Sequence, residues 1–158
     1  MILKVGDKAP HFSSKDIHGK NFESQSIIEK KVLVLYFYPK NNTAICTAQA
    51  CSFRDSYQDF QNLGADVIGV SSDDVASHQE FANKFKLPFL LLSDESQEIK
   101  KKYGVSSHFF GFLSNRITFV IDDDGIIQMI FDSVLGKNHI SKALQKVKEL
   151  INIKNNKT

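Results

Sequence analysis

The chain contains no tryptophan, three prolines, two cysteines and only two arginines, Arg54 and Arg116, against 18 lysines. Two cysteines cannot staple a disulfide-dense fold. Lying at positions 46 and 51, they form neither a C-x-x-C pair nor, without a nearby histidine pair, a zinc site, so no metal is expected. The longest apolar run, Val32 to Tyr38, is far too short to cross a bilayer. A net charge of +2, from 20 basic and 18 acidic residues, leaves no electrostatic case for nucleic acid or an anionic membrane as partner. No Pro/Gly/Ser-rich linker interrupts the 158 residues, so one domain over 1–151 is expected, with 152–158 as a fraying tail. Met1 to Asp7 lacks the apolar stretch of a signal peptide, and the chain reads as a soluble cytoplasmic protein. In such reducing surroundings a cysteine pair is catalytic or redox-sensing rather than structural.

What is present centres on Cys46, which ends the run Pro39-x-x-x-Thr43-x-x-Cys46 and is followed by Cys51. The branched and aromatic residues of Val32 to Tyr38 predict a buried strand closed by Pro39. Thr43 can cap a helix, which places Cys46 in its first turn, where free backbone N–H groups and the macrodipole favour an anion such as a thiolate. That helix is expected from about Cys46 to Leu63, and Gly64 stops it. A strand over 65–71, a helix capped by Ser72 or Asp73 and running to Phe85, a strand over 88–92 and a helix over 95–103 follow. After a loop over 105–115, strands 116–122 and 126–131 flank Asp123-Asp124-Gly125 as a hairpin, and a last helix covers 138–151. A smaller hairpin is expected between Phe12 and Phe22. The order implies an α/β fold, a mixed sheet with helices on both faces, whose reactive groups lie at the carboxyl ends of strands. Cys46 follows one such end. Arg116 opens a strand, and if that strand is antiparallel to its neighbours its start shares their edge.

A thiol needs a helix N-terminus or a cation to favour its nucleophilic thiolate. Arginine suits such a site where an oxygen-rich species must be held by a permanently charged planar fork, which draws attention to Arg116 and Arg54. The hydroxyl of Thr43 can accept from and donate to a hydroperoxide, and Pro39 can shield the sulfur from water. Attack of the thiolate on R–O–O–H yields a sulfenic acid on Cys46, which a second thiol, Cys51, can condense to a disulfide. On one continuous helix a five-residue step separates the Cα atoms by about 8.7 Å, with the side chains about 140° apart. A disulfide needs about 7 Å or less. Residues 43–52 are therefore expected to unwind during turnover.

Tyr36-Phe-Tyr-Pro-Lys40, Thr43, Cys46-Thr47, Gln49-Ala-Cys51 and Phe53-Arg-Asp55 resemble the active-site segment of peroxiredoxins of the bacterioferritin comigratory protein, or peroxiredoxin Q, type. The resemblance runs from Val5-Gly-Asp-Lys-Ala-Pro10 through Leu92-Ser-Asp94 and Arg116 to Asp122 into the last helix. It implies a thioredoxin-like fold, no metal or organic cofactor, a hydroperoxide substrate and reduction by thioredoxin or a similar dithiol protein. It also implies that Cys46 is the peroxidatic and Cys51 the resolving cysteine, with Pro39, Thr43 and Arg116 shaping the peroxide pocket. One departure stands out: relatives usually read Thr-Pro-Gly-Cys where this chain reads Thr43-Ala44-Ile45-Cys46. The exchange removes a preset φ and adds branched apolar bulk beside the thiol.

Other functions have weaker support. A redox sensor or holdase without sustained turnover would use the same cysteines, whereas a disulfide oxidoreductase of thioredoxin type lacks its C-x-x-C. His108, among Phe109, Phe110 and Phe112, could serve a cysteine hydrolase but reads as loop packing. Asp73-Asp74 reads as a helix start and Asp122-Asp123-Asp124 as a turn. Arg54 is expected to buttress the site or pair with Asp55 or Glu80. Nothing demands more than a monomer.

Overall fold

The seven residues Val32 to Tyr38 are all buried, at 5% exposure or less, and they make the middle of the sheet. A computed structural model describes residues 3–105, 116–133 and 137–156. Its strands are β1 (Ser13–Lys15), β2 (Asn21–Glu23), β3 (Val32–Phe37), β4 (Ala65–Ser71), β5 (Leu90–Ser93), β6 (Ile117–Ile121) and β7 (Ile127–Asp132). Its helices are α1 (Ala44–Asn62), α2 (Val75–Phe85), α3 (Glu98–Lys102) and α4 (Lys137–Asn156). Among the described residues the strands form one sheet in the order β2-β1-β5-β4-β3-β6-β7. β3, β4 and β5 are parallel, while β6 runs antiparallel to β3 in a register that pairs Phe37 with Ile117. The carboxyl end of β3 and the beginning of β6 therefore share one edge.

Side-chain alternation sends two hydrophobic sets to opposite faces of this sheet. Val34, Tyr36 and Tyr38 join α1, α2 and α4 through Phe53, Phe60, Phe81, Ala143 and Val147. Leu33, Leu35 and Phe37 meet Ile99 and Tyr103 of the α3 region together with Phe12 near the N-terminus. Three helices thus cover one face, and the short α3 with the N-terminal segment covers the other.

Some boundaries differ from the sequence reading. The cap of α2 is Asp74, whose carboxylate accepts from Ser77 N–H at 2.8 Å, rather than Ser72 or Asp73. Asp73 is drawn away because its carboxylate accepts from Asn41 and Ser71. α4 continues through Asn156, five residues into the stretch expected to fray, and Lys154 pairs there with Asp123. Lys100 of α3 is buried, at 9% exposure. His108, Phe109, Phe110 and Phe112 lie outside the described residues.

Candidate active site

Cys46 is the third residue of α1 and only 1% exposed, although Pro39, Thr43 and Ile45 around it are exposed. The strand β3 delivers the chain to this edge, and the loop of residues 38–43 turns it into the helix. Thr43 occupies the N-cap position with extended backbone, and its carbonyl accepts the first helical bond, from Thr47 N–H at 2.9 Å. Its side chain does not cap the helix. The hydroxyl instead donates to the carbonyl of Lys40 at 3.0 Å, so the first-turn N–H groups carry no side-chain acceptor from Thr43.

Arg116 reaches the thiol from the start of β6. Its Nη2 donates to Cys46 Sγ at 3.3 Å, and its Nη1 donates to Oε1 of Gln49. Arg116 is 5% exposed and Gln49 is 0% exposed, so the pair sits in a low-dielectric interior that strengthens the interaction of a cation with an electron-rich sulfur. The motif around Cys46 contains Gln49 but does not by itself assign it a role. Its place one turn below Cys46 on α1, at i+3, is the signal that could have found it. The amide Nε2 of Gln49 and the hydroxyl of Tyr36 are buried with no hydrogen-bond partner among the described residues.

Tyr36 lies beneath the same helix, stacked on Phe53 with ring centroids 4.5 Å apart. Gly69, its partner across β3 and β4, makes room for it: a Cβ there would stand 2.8 Å from the Tyr36 ring. Burial first, and the sulfur of Cys46 second, push the Tyr36 hydroxyl far above the ordinary phenol range, so it remains an O–H donor at physiological pH. Behind Arg116, the ring of His139 is wholly buried between Thr118 and Ser133. A carbonyl can only accept, so Nε2 donates to Ser133 O at 2.8 Å and Nδ1 accepts from the Thr118 hydroxyl at 2.7 Å. Burial, with the nearby Arg116 cation, holds this imidazole below the usual histidine value and neutral.

Cys51 is half-buried, and both cysteines are free thiols. α1 is continuous through them. Arg54 pairs with Asp55 at 3.0 Å and donates through Nη1 to the carbonyl of Phe85 at 2.8 Å; it does not enter the Cys46 pocket. The three aspartates at 122–124 lie close enough to hold an ion, but the hairpin accounts for them. Asp122 accepts from Asp124 N–H, Ile126 N–H and Gln128, and Asp123 pairs with Lys154.

A buried thiol in the first turn of a helix, faced by an arginine from the antiparallel strand beside it, defines a thiol-redox protein on a mixed α/β sheet. Comparison with known proteins gives the particular family. Residues 5–130 match the AhpC/TSA family, and the chain belongs to it. It is 46% identical to a chloroplastic peroxiredoxin Q of Triticum aestivum over 94% of this chain and 68% of the relative. A chloroplastic peroxiredoxin Q of Arabidopsis thaliana is also 46% identical, over 92% of this chain and 68% of that one. Among solved structures, the peroxidoxin BcpB of Mycobacterium tuberculosis superposes with a TM-score of 0.85 at 30% identity, covering 94% of this chain and 98% of the other. A Xanthomonas campestris peroxiredoxin Q gives 0.79 at 26% identity, over 89% and 91% of the two chains. The fold is therefore thioredoxin-like.

Proposed function

We propose that the protein is a thiol peroxidase that reduces hydrogen peroxide and organic hydroperoxides to water and alcohols, with thioredoxin or a similar dithiol protein as reductant. The observation that carries this reading is the Arg116 Nη2 contact with Cys46 Sγ at 3.3 Å, on a thiol buried in the first turn of α1. In the proposed reaction the Cys46 thiolate attacks the terminal oxygen of R–O–O–H. The O–O bond breaks, a sulfenic acid forms on Cys46, and the alkoxide leaves as alcohol after taking a proton. Arg116 and the N–H groups of Ala44, Ile45 and Cys46, which precede the first helical bond, are the donors available to the oxygen that gains charge. The Thr43 hydroxyl can accept the peroxide's own hydrogen, and Pro39 shields one side of the sulfur.

Cys51 then supplies the second thiol: its sulfur bonds to that of Cys46 and water leaves. Because the helix is continuous through both cysteines, that step requires residues 43–52 to unwind. Reduction by a dithiol restores both thiols and closes the cycle as antioxidant turnover. The chain is inferred to act as a single domain and a monomer, with no metal or organic cofactor. The two free cysteines fit a reducing compartment such as the cytoplasm, and cell fractionation distinguishes this from the plastid, where the plant relatives are named. Among the described residues no helix is long and apolar enough to cross a membrane.

The test is peroxide consumption coupled to a thioredoxin system. Cys46→Ser is expected to abolish it, and Cys51→Ser to retain one oxidation event while losing thioredoxin-linked turnover. Sustained activity in Cys46→Ser overturns the assignment. Stoichiometric oxidation of the wild type without turnover favours the sensor reading instead.

A further inference from the structure

Both flanks of the segment that carries the two cysteines are tied to one helix, α2. Upstream, Asn41 is 3% exposed and has every polar group of its side chain engaged. Its Nδ2 donates to Ser77 Oγ and to His78 Nδ1, each at 3.1 Å, and its Oδ1 accepts from the Tyr38 hydroxyl at 2.6 Å. Its backbone N–H donates to Asp73 Oδ2 at 2.9 Å. His78 is equally buried; since Nδ1 accepts, Nε2 carries the proton and faces Ser71 Oγ at 3.4 Å. The next residue, Asn42, has φ of 65°, a left-handed conformation suited to a pivot.

Downstream, Arg54 donates to the carbonyl of Phe85, the last residue of α2, while Phe53 is fully buried against Tyr36. Ser77 and His78 lie in the first turns of α2, so its stretch from Ser77 to Phe85, about 12 Å long, bridges the two anchors. Thr43, Cys46 and Cys51 all lie between them. Within this interval the front of α1 has no side-chain cap from Thr43, and the Gln49 Nε2 is buried without a partner among the described residues.

We propose that α2 is a fixed bracket, with Asn41 and Arg54 as positioning residues that confine redox unwinding to residues 43–52 and guide the thiol back to Arg116. The proposal rests on the Cys46–Cys51 disulfide reading above. It follows that Asn41 also sets the loop that presents Thr43. Loosening it displaces the pocket and lowers the rate constant for Cys46 oxidation by about 10- to 100-fold, the scale of a misplacement near 1 Å.

The experiment is hydrogen exchange read by mass spectrometry on reduced and peroxide-oxidised protein, alongside the Cys46 oxidation rate. In oxidised wild type, protection is expected to fall over 43–52 and to persist at 36–41 and 54–62. Asn41→Ala should spread the loss upstream to Tyr38, and Arg54→Met should spread it downstream past residue 54, with Arg54→Lys restoring the boundary. Arg54 is partly exposed, so its variants keep the test open if Asn41→Ala fails to fold. A disulfide-bonded wild type whose footprint already passes residue 54, or variants with unchanged footprints, overturns the bracket alone. Oxidised protein lacking the Cys46–Cys51 bond overturns the disulfide reading and the bracket with it.

Discussion

The two ends of α1 are built from the same helix on opposite principles. The back, from Phe53 onward, is fastened by packing: Phe53 and Phe60 are fully buried, Phe53 stacks on Tyr36, and Tyr57 bonds Asp66. The front holds Cys46, Gln49 and Arg116, is entered without a side-chain cap from Thr43, and leaves the Tyr36 hydroxyl and the Gln49 Nε2 buried without partners among the described residues. Burial of apolar area is indifferent to the redox state of a sulfur, whereas hydrogen bonds to that sulfur change with it. Packing behind the reactive turn and polar contacts within it suit the partial unwinding proposed above.

The largest expected effect comes from breaking the back. Phe53→Ala should cost about 3–5 kcal/mol of stability, the usual range for emptying a buried aromatic site, read as a lower urea midpoint. The rate of Cys46 oxidation per folded molecule should change much less. Arg116→Met reverses that pattern. It should lower kcat/KM for peroxide by about 10²- to 10³-fold, as loss of one positioned donor does, with a small shift in midpoint because an apolar side chain replaces a buried charge. Equal effects of both variants on both measurements would erase the contrast between the two ends.

Acid offers a graded way to loosen the front. Burial holds His78 and His139 below the ordinary histidine value of 6.5, with Asp73 and Asp74 partly opposing the shift at His78. Below that value the unfolded chain binds these protons more readily than the folded one, so stability rises with pH toward 6.5 and is lost as pH falls beneath it. Protonation of His78 at Nδ1 also sets a donor against Asn41 Nδ2. Urea midpoints should fall between pH 7.5 and 5.5 and fall less in His78→Gln, while exchange should rise at 41–47 before it rises at 53–62. The smallest effect concerns Ile45, 46% exposed beside the thiol. Ile45→Gly should reduce the preference for an alkyl hydroperoxide over hydrogen peroxide by about 2- to 5-fold, the equivalent of roughly one buried methylene. An unchanged ratio of kcat/KM values would remove Ile45 from substrate choice.

The alternation of apolar strands with helical segments made the order of elements legible along the chain, and Asp123-Asp124-Gly125 marked its hairpin. The cap of α2 was not legible between Ser72, Asp73 and Asp74, because all three can cap and only the contacts of Asp73 with Asn41 and Ser71 exclude it. The end of α4 was obscured for a similar reason. A polar, lysine-rich tail lacks an obvious helical stop, and its Lys154 pairs with Asp123, which lies 31 residues earlier. Asn41 and His78 carry no local signature at all: each is an ordinary polar residue until folding buries it against the other.

By itself the sequence determined the chemistry that is local. Residue type makes Cys46 a potential nucleophile, a strand followed by Thr43 starts a helix just before it, and a five-residue interval places Cys51 beyond disulfide reach on an intact helix. Tertiary structure decided what meets the sulfur. Arg116 lies 70 residues away and arrives because β6 pairs antiparallel with β3, bringing its first residues to the carboxyl end of the strand that leads to Cys46. It also decided what flanks the cysteine segment, through hydrogen bonds of Asn41 and Arg54 to residues of α2 that are distant in sequence. Local preferences fix where a helix begins, while the partners of a buried polar group are chosen by strand pairing and helix packing across the whole chain.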